Sequence, residues 1–222
     1  KRHYLGLTDD KVGVLEDYPI LIELDEDNRT ITITDKGIGL TEKELEENLG
    51  VIAQSGSKAF QEGLEKEDLD VIGQFGVGFY SAFMVADKVE VTTKSPYSDQ
   101  AYVWTSKGES TYTIDEAEKD EVGTSIKLYL REDDKDKELD YSTYLKPYTI
   151  KNLVKKYSDY IRYPIQMWEE TTEEGKEPKK DLDYIYSILC NTSFIDLPSE
   201  DNVYQSENNK ESVWEVQFTD AK

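Results

Sequence analysis

Two short segments combine residue types that could hold a small polar ligand. Asp35-Lys36-Gly37-Ile38-Gly39 ends an alternating apolar run and directly precedes a helix start near Thr41. A carboxylate at that junction, with two glycines allowing close backbone approach, can accept a hydrogen bond from an exocyclic amine such as that of adenine. A charge-assisted bond of this kind is worth about 1.5–3 kcal/mol and discriminates against a ligand that lacks the donor. A plain strand-to-helix turn also favours Asp and Gly, and on this segment alone that reading leads. The second segment, Ile72-Gly73-Gln74-Phe75-Gly76-Val77-Gly78-Phe79-Tyr80, spaces glycines at 73, 76 and 78. Glycine loops that run into a helix present free backbone N–H groups and the positive end of the helix dipole, a cradle for phosphates. No Gly-Lys-Ser/Thr follows, so it is not a P-loop, and the glycine order reverses that of the dinucleotide fingerprint. A glycine-rich turn packed against a sheet explains this segment alone equally well.

Weaker signals accompany these two. In Gly123-Thr124-Ser125-Ile126 the Thr124 hydroxyl could reach a polar group beside Asp35, although a β-branched residue in an ordinary strand is the simpler reading. Asn48-Leu49-Gly50 reads as a helix C-terminus. One cysteine, Cys190, and one histidine, His3, exclude a Cys/His zinc site, a disulfide and paired histidine bases within the chain.

Elements that would position these residues follow from the hydrophobic pattern. The stretch 20–34 contains two alternating runs around Asp-Glu-Asp-Asn-Arg, an antiparallel hairpin. Thr41 with Glu44 three residues on makes a capping box for a helix over 41–48, with Gly50 as its stop. A second helix is expected over 57–66, and the apolar stretch 73–86 reads as a buried helix opening from the glycine loop. Strands are expected over 88–94, 101–106, 110–114 and 124–130, then a helix over 148–162 stopped by Pro164, and an edge strand over 165–168. The charge-rich stretch 169–181 reads as a solvated loop, and 202–211 as a second polar break. Between and after them, 184–190 and 213–218 are apolar pieces too short for a domain. Helices interleaved with hairpins give an α+β class: a two-layer α/β sandwich whose mostly antiparallel sheet is covered by helices on one face.

The 222 residues carry 26 Lys and Arg against 48 Asp and Glu, a net charge of -22, which works against nucleic acid or an anionic membrane as partner. Local donors still outweigh that field at a phosphate cradle, because a Debye length of about 8 Å screens distant surface charge. An apolar content of 37% argues for a folded chain. No apolar run approaches the roughly 20 residues needed to cross a bilayer, and no signal-peptide pattern opens the chain, so a reducing, cytoplasmic setting is expected.

In order and wording, 35–40, 48–60, 72–88 and 123–126 closely resemble the amino-terminal ATP-binding domain of the heat shock protein 90 chaperones, in the form of their bacterial branch. That family shares its nucleotide fold with DNA gyrase, MutL and sensor histidine kinases. The resemblance covers 1–168, expected as the ATP-binding domain, and leaves 169–222 as a charged linker and unassigned tail. It implies that Asp35 takes the adenine amino group, with Thr124 supporting it through ordered water. Gly39 and Leu40 would line the base, with Trp104 and Ile126 closing the apolar side. Asn48 would lie near ribose and phosphate. Ser55 and Gly56 belong to the segment that folds over the nucleotide as a lid, and Gly76, Val77, Gly78 and Phe79 would offer main-chain N–H groups to the phosphates.

The resemblance further implies ATP or ADP with Mg2+ as ligands. The intact protein would be a homodimeric, ATP-hydrolysing chaperone of the stress response that acts on client proteins and contains a middle domain. Gln54 stands where the family usually carries Lys, which removes a side-chain charge from the phosphates. The family's water-activating Glu and magnesium-holding Asn lie upstream of the segment matching Lys1, so the chain as written is expected to contain no catalytic or metal-ligating residue, to bind nucleotide more weakly and to hydrolyse it negligibly. Two rival readings share the fold: a sensor histidine kinase-type catalytic domain, and a binding module that no longer uses nucleotide.

Overall fold

The computed structural model describes residues 1–50, 78–109, 111–134, 136, 139–158, 161, 163–171 and 179–186. The chain divides into two units, Lys1–Ser187 and Ile188–Lys222. The second lies wholly outside the described residues, and so does the expected helix over 57–66.

The hairpin at 20–34 forms as β1 (Ile20–Asp25) and β2 (Thr30–Asp35), antiparallel with Ile22 opposite Ile33. It follows α1 (Arg2–Gly6) and precedes α2 (Glu42–Leu49). The capping box is present: Glu44 N–H donates to Thr41 Oγ1 at 3.3 Å, and Thr41 N–H donates to Glu44 Oε2 at 2.9 Å. Gly50 ends the helix in a right-handed conformation, so backbone handedness is not its role. A Cβ there would sit 2.6 Å from the Tyr112 hydroxyl, and the missing side chain makes room for that ring.

Next come β3 (Ala86–Lys94), β4 (Ala101–Ser106), β5 (Tyr112–Ala117) and β6 (Gly123–Leu130). They are followed by α3 (Pro147–Tyr157), β7 (Ile165–Thr171) and β8 (Lys179–Tyr186). The strands make one sheet in the order β5-β4-β3-β6-β2-β1-β7-β8, antiparallel throughout except for β1 beside β7. Ile22, Ile31, Val89, Val91, Trp104, Leu128 and Met167 of the sheet are buried together with Leu45 of α2 and Ile150 and Val154 of α3. The opposite face is polar: Thr34 and Ser125 share a hydroxyl hydrogen bond at 3.0 Å, and Tyr129 donates to Glu90 at 2.7 Å. The expected α+β sandwich is thus the observed one.

Three expectations are corrected. The described part of 73–86 is a seven-residue 3-10 helix, Gly78–Met84, rather than a buried α-helix. Its exposure repeats every third residue, with Gly78, Ser81 and Met84 facing solvent while Phe79, Ala82 and Val85 pack on the core. The helix expected over 148–162 stops at Tyr157, although Ile161 still packs on the core. Finally, β7 is not an edge. It pairs with β1 on one side and β8 on the other, and the charge-rich stretch supplies Glu169–Thr171 and Lys179–Asp181 to that hairpin.

Candidate functional site

Strand register brings residues from three distant parts of the chain into one row. Asp35 of β2 lies opposite Thr124 of β6, and Thr124 lies opposite Thr93 of β3. Directly opposite residues in antiparallel strands point to the same sheet face. Two residues along, the next row on that face is Ile33, Ile126, Val91 and Trp104. The helix-covered face therefore carries a polar row of one carboxylate and two hydroxyls beside an apolar row that includes an indole.

Thr93 is the centre of the polar row, fully buried, and it is the residue that motif reading missed. Its Oγ1 accepts from Leu40 N–H at 2.9 Å and lies 3.2 Å from Gly123 O and 3.1 Å from Thr124 Oγ1. One hydroxyl thereby ties the turn after β2 to the start of β6. A signal was available in the sequence, since alternation in β3 directs Val89, Val91 and Thr93 inward and makes Thr93 a polar side chain at a core position.

Asp35 Oδ1 accepts from Gly37 N–H at 2.7 Å. Burial pushes the Asp35 carboxyl up from its ordinary value. The Gly37 N–H, the Lys119 ammonium, the Thr124 amide and the Arg2 guanidinium pull the other way. The carboxylate is thus short of solvation, and a ligand N–H would supply what burial removed.

Close backbone packing frames this carboxylate. Gly39 has φ +66°, and a Cβ there would collide with the carbonyl oxygen of Lys94. Gly123 has φ +141°, and a Cβ would strike the carbonyl oxygen of Asp35. Both positions need glycine because strands approach there, with the backbone in a region that side chains rarely adopt.

On the apolar side Trp104 is buried and Ile126 and Leu40 are half-buried. Phe79 packs edge-on against Trp104, with ring centroids 5.6 Å apart, and Tyr80 Oη donates to Leu49 O at 3.2 Å. The 3-10 helix therefore sits on the same face as Asp35 and is tied to the end of α2. Asn48, in the last turn of α2, turns its amide back on its own helix and donates to Glu44 O at 2.7 Å. Ser55, Gly56, Gly76 and Val77, like Gln54, lie outside the described residues. A separate acidic cleft of about 310 Å³, lined by Glu42, Lys43, Glu46, Tyr112 and Ile114, opens beside β5, four strands along from Asp35.

Among the described residues no group of three or more His, Cys, Asp or Glu side chains converges to hold a metal ion. Among those residues, too, no helix is long and apolar enough to cross a membrane.

Family comparisons agree with this geometry. The model described as "Histidine kinase-, DNA gyrase B-, and HSP90-like ATPase" matches residues 18–135, more than half the chain, and spans both the polar and the apolar row. A second, "Hsp90 protein", matches 143–213 and takes in most of the tail that wording alone left unassigned. The chain is 54% identical over 183 residues to the chaperone protein HtpG of Shouchella clausii, covering 82% of this chain and 29% of that one. The HtpG of Oceanobacillus iheyensis is 50% identical over 181 residues, 80% of this chain and 29% of its own. That of Fusobacterium nucleatum is 46% identical over 207 residues, 88% and 33%. The chain thus spans about a third or less of the length of these relatives. With both family models matched in sequence order, the chain belongs to the histidine kinase-, DNA gyrase B- and HSP90-like ATPases and, within them, to the Hsp90 proteins.

Proposed function

We propose that this chain is the ATP-binding domain of an ATP-dependent molecular chaperone, with residues 1–168 carrying the site. Asp35 Oδ2 accepts the adenine amino group, and Thr124 supports the base edge through water. Gly39 and Leu40 line the ring, and Ile126 and Trp104 close its apolar side. Asn48 lies toward ribose and phosphate, Ser55 and Gly56 belong to the segment that folds over the nucleotide as a lid, and Gly76, Val77, Gly78 and Phe79 offer main-chain N–H groups to the anion. The carrying observation is the row of Asp35, Thr124 and Thr93 across three strands on the helix-covered face. A half-buried carboxylate in line with two hydroxyls fits a ligand that brings an N–H of its own.

ATP hydrolysis, Mg2+, homodimer formation, a middle domain, client proteins and a cytoplasmic setting belong to the same proposal for the intact protein. Their support is the HtpG relatives, most of whose length lies beyond the match. The sensor-kinase reading is not favoured, because the Hsp90 match continues through residues 143–213, and nucleotide titration separates the chaperone reading from the nucleotide-free module. Calorimetric titration with ADP and with inosine diphosphate, which lacks the exocyclic amine, tests the proposal. ADP should bind at least tenfold more tightly, and equal affinities would refute the base assignment.

A further inference from the structure

Arg2 of α1 reaches the turn that follows Asp35. Its Nη1 lies 2.9 Å from Lys36 O, 3.4 Å from Gly37 O and 3.2 Å from Val122 O. These three carbonyls belong to two segments, the turn after β2 and the entry to β6, which flank the carboxylate. Arg2 Nε is buried and has no partner among the described residues. Leaving that donor unsatisfied is costly, so the contacts made by Nη1 are what hold the guanidinium in place. A permanently charged group suits this task, because it keeps its charge at any working pH.

The chain of contacts continues to the carboxylate. Gly37, whose carbonyl Arg2 contacts, donates its N–H to Asp35 Oδ1 at 2.7 Å. Gly123, next to Val122, is the residue whose bare Cα lets β6 approach Asp35 O. If the turn shifts, Gly37 N–H moves with it, and Asp35 loses the bond that fixes which oxygen faces a ligand.

We propose that Arg2 is a positioning residue for base recognition: it clamps the Lys36–Gly37 turn to the entry of β6 and thereby holds Asp35 Oδ2 toward the exocyclic amine of a purine. The proposal rests on the reading of Asp35 as the base anchor. A neutral or mobile residue at position 2 leaves phosphate contacts untouched, so its effect falls on the choice of base rather than on nucleotides in general. Lysine carries the charge on an ammonium one bond short of Nη1 and at the end of a flexible stem, and it holds the carbonyls less well.

The test is titration of ADP and inosine diphosphate into the full 222-residue chain and its Arg2→Met and Arg2→Lys variants, with thermal unfolding of each to establish that it is folded. Arg2→Met should weaken ADP about tenfold while changing inosine diphosphate less than about twofold, which lowers the ratio of the two affinities about tenfold. Arg2→Lys should fall between Arg2→Met and the parent chain. Should Arg2→Met not fold, the Arg2→Lys ratio alone decides, and an unchanged ratio overturns the proposal. Equal loss of both nucleotides in Arg2→Met overturns it too, because that is the mark of a general structural role. If the parent chain itself does not prefer ADP to inosine diphosphate, the base-anchor reading fails and takes this proposal with it. If the parent prefers ADP and Arg2→Met keeps that preference, only the role of Arg2 falls.

Discussion

Asp35→Asn separates ligand recognition from fold stability at a single atom pair. The substitution keeps shape and volume. Gly37 N–H donates to Asp35 Oδ1 at 2.7 Å, so the Asn amide must turn its oxygen to Gly37 and its NH2 to the position now held by Oδ2. That places a donor where adenine also presents a donor. The lost charge-assisted bond is worth about 1.5–3 kcal/mol, which at about 1.4 kcal/mol per decade weakens ADP roughly 10- to 150-fold. Stability should move differently. Because burial pushes the Asp35 carboxyl up, the folded chain disfavours the charged form that Asn removes. The variant without nucleotide should therefore melt at or above the parent's temperature at neutral pH. Calorimetric titration with ADP and differential scanning calorimetry without it are the paired assays. ADP binding within about twofold of the parent would show that the base does not meet this carboxylate. A large fall in melting temperature would show that the ionised group is stabilising and that burial does not dominate its environment.

Two further outcomes follow from the same row. With a folded-state pKa above the unfolded value, Asp35 binds more protons in the native chain, so its contribution to stability falls as pH rises through the window between those values. ADP affinity should rise over that window as the acceptor ionises, with proton release on binding, and titrations in two buffers of different ionisation enthalpy at acidic pH would detect it. An affinity that falls with rising pH there would contradict the assignment of Asp35. Thr93→Val leaves Leu40 N–H without its acceptor, which should cost about 1–3 kcal/mol and lower the melting temperature by roughly 2–12 °C, with Thr93→Ser restoring most of it. A Thr93→Val variant that melts with the parent would show that Leu40 N–H finds another partner.

Local chemistry was the legible part of the sequence. The capping box of Thr41 and Glu44, the hairpin at Ile20–Asp25 and Thr30–Asp35 and the strand Ala101–Ser106 each depend on neighbours within a few residues, and each formed where the pattern put it. Asp35 and Thr124 are legible from residue type and place, Ile126 and Trp104 only from wording shared with a family, and strand register brings all four to one sheet face. Elements that depend on distant partners were less legible. The strand Ile165–Thr171 read as an edge because its outer neighbour, Lys179–Tyr186, begins in a run of Lys and Asp that resembles a loop. The segment Gly78–Met84 read as an α-helix because Phe, Tyr, Phe and Met in close order fill either helical period. Its threefold exposure depends on the sheet beneath it.

Thr93 shows why a site can be harder to read than the fold that holds it. Within Glu90-Val91-Thr92-Thr93-Lys94, Thr93 differs from Thr92 only in alternating in step with Val91, and a shift of one residue would exchange them. The pairing of Thr93 with Thr124, and of Thr124 with Asp35, fixes that choice across intervals of 31 and 89 residues. The same pairings define the sheet's core, where Val91 faces Ile126 and Ile126 faces Ile33. Register errors that would disperse the polar row would therefore also expose the apolar one. Hydrophobic burial, far larger in sum than any hydrogen bond in the row, is what holds the carboxylate and the hydroxyls together. The base-reading groups can then be few and individually weak, because their placement is determined by the core rather than by their own interactions.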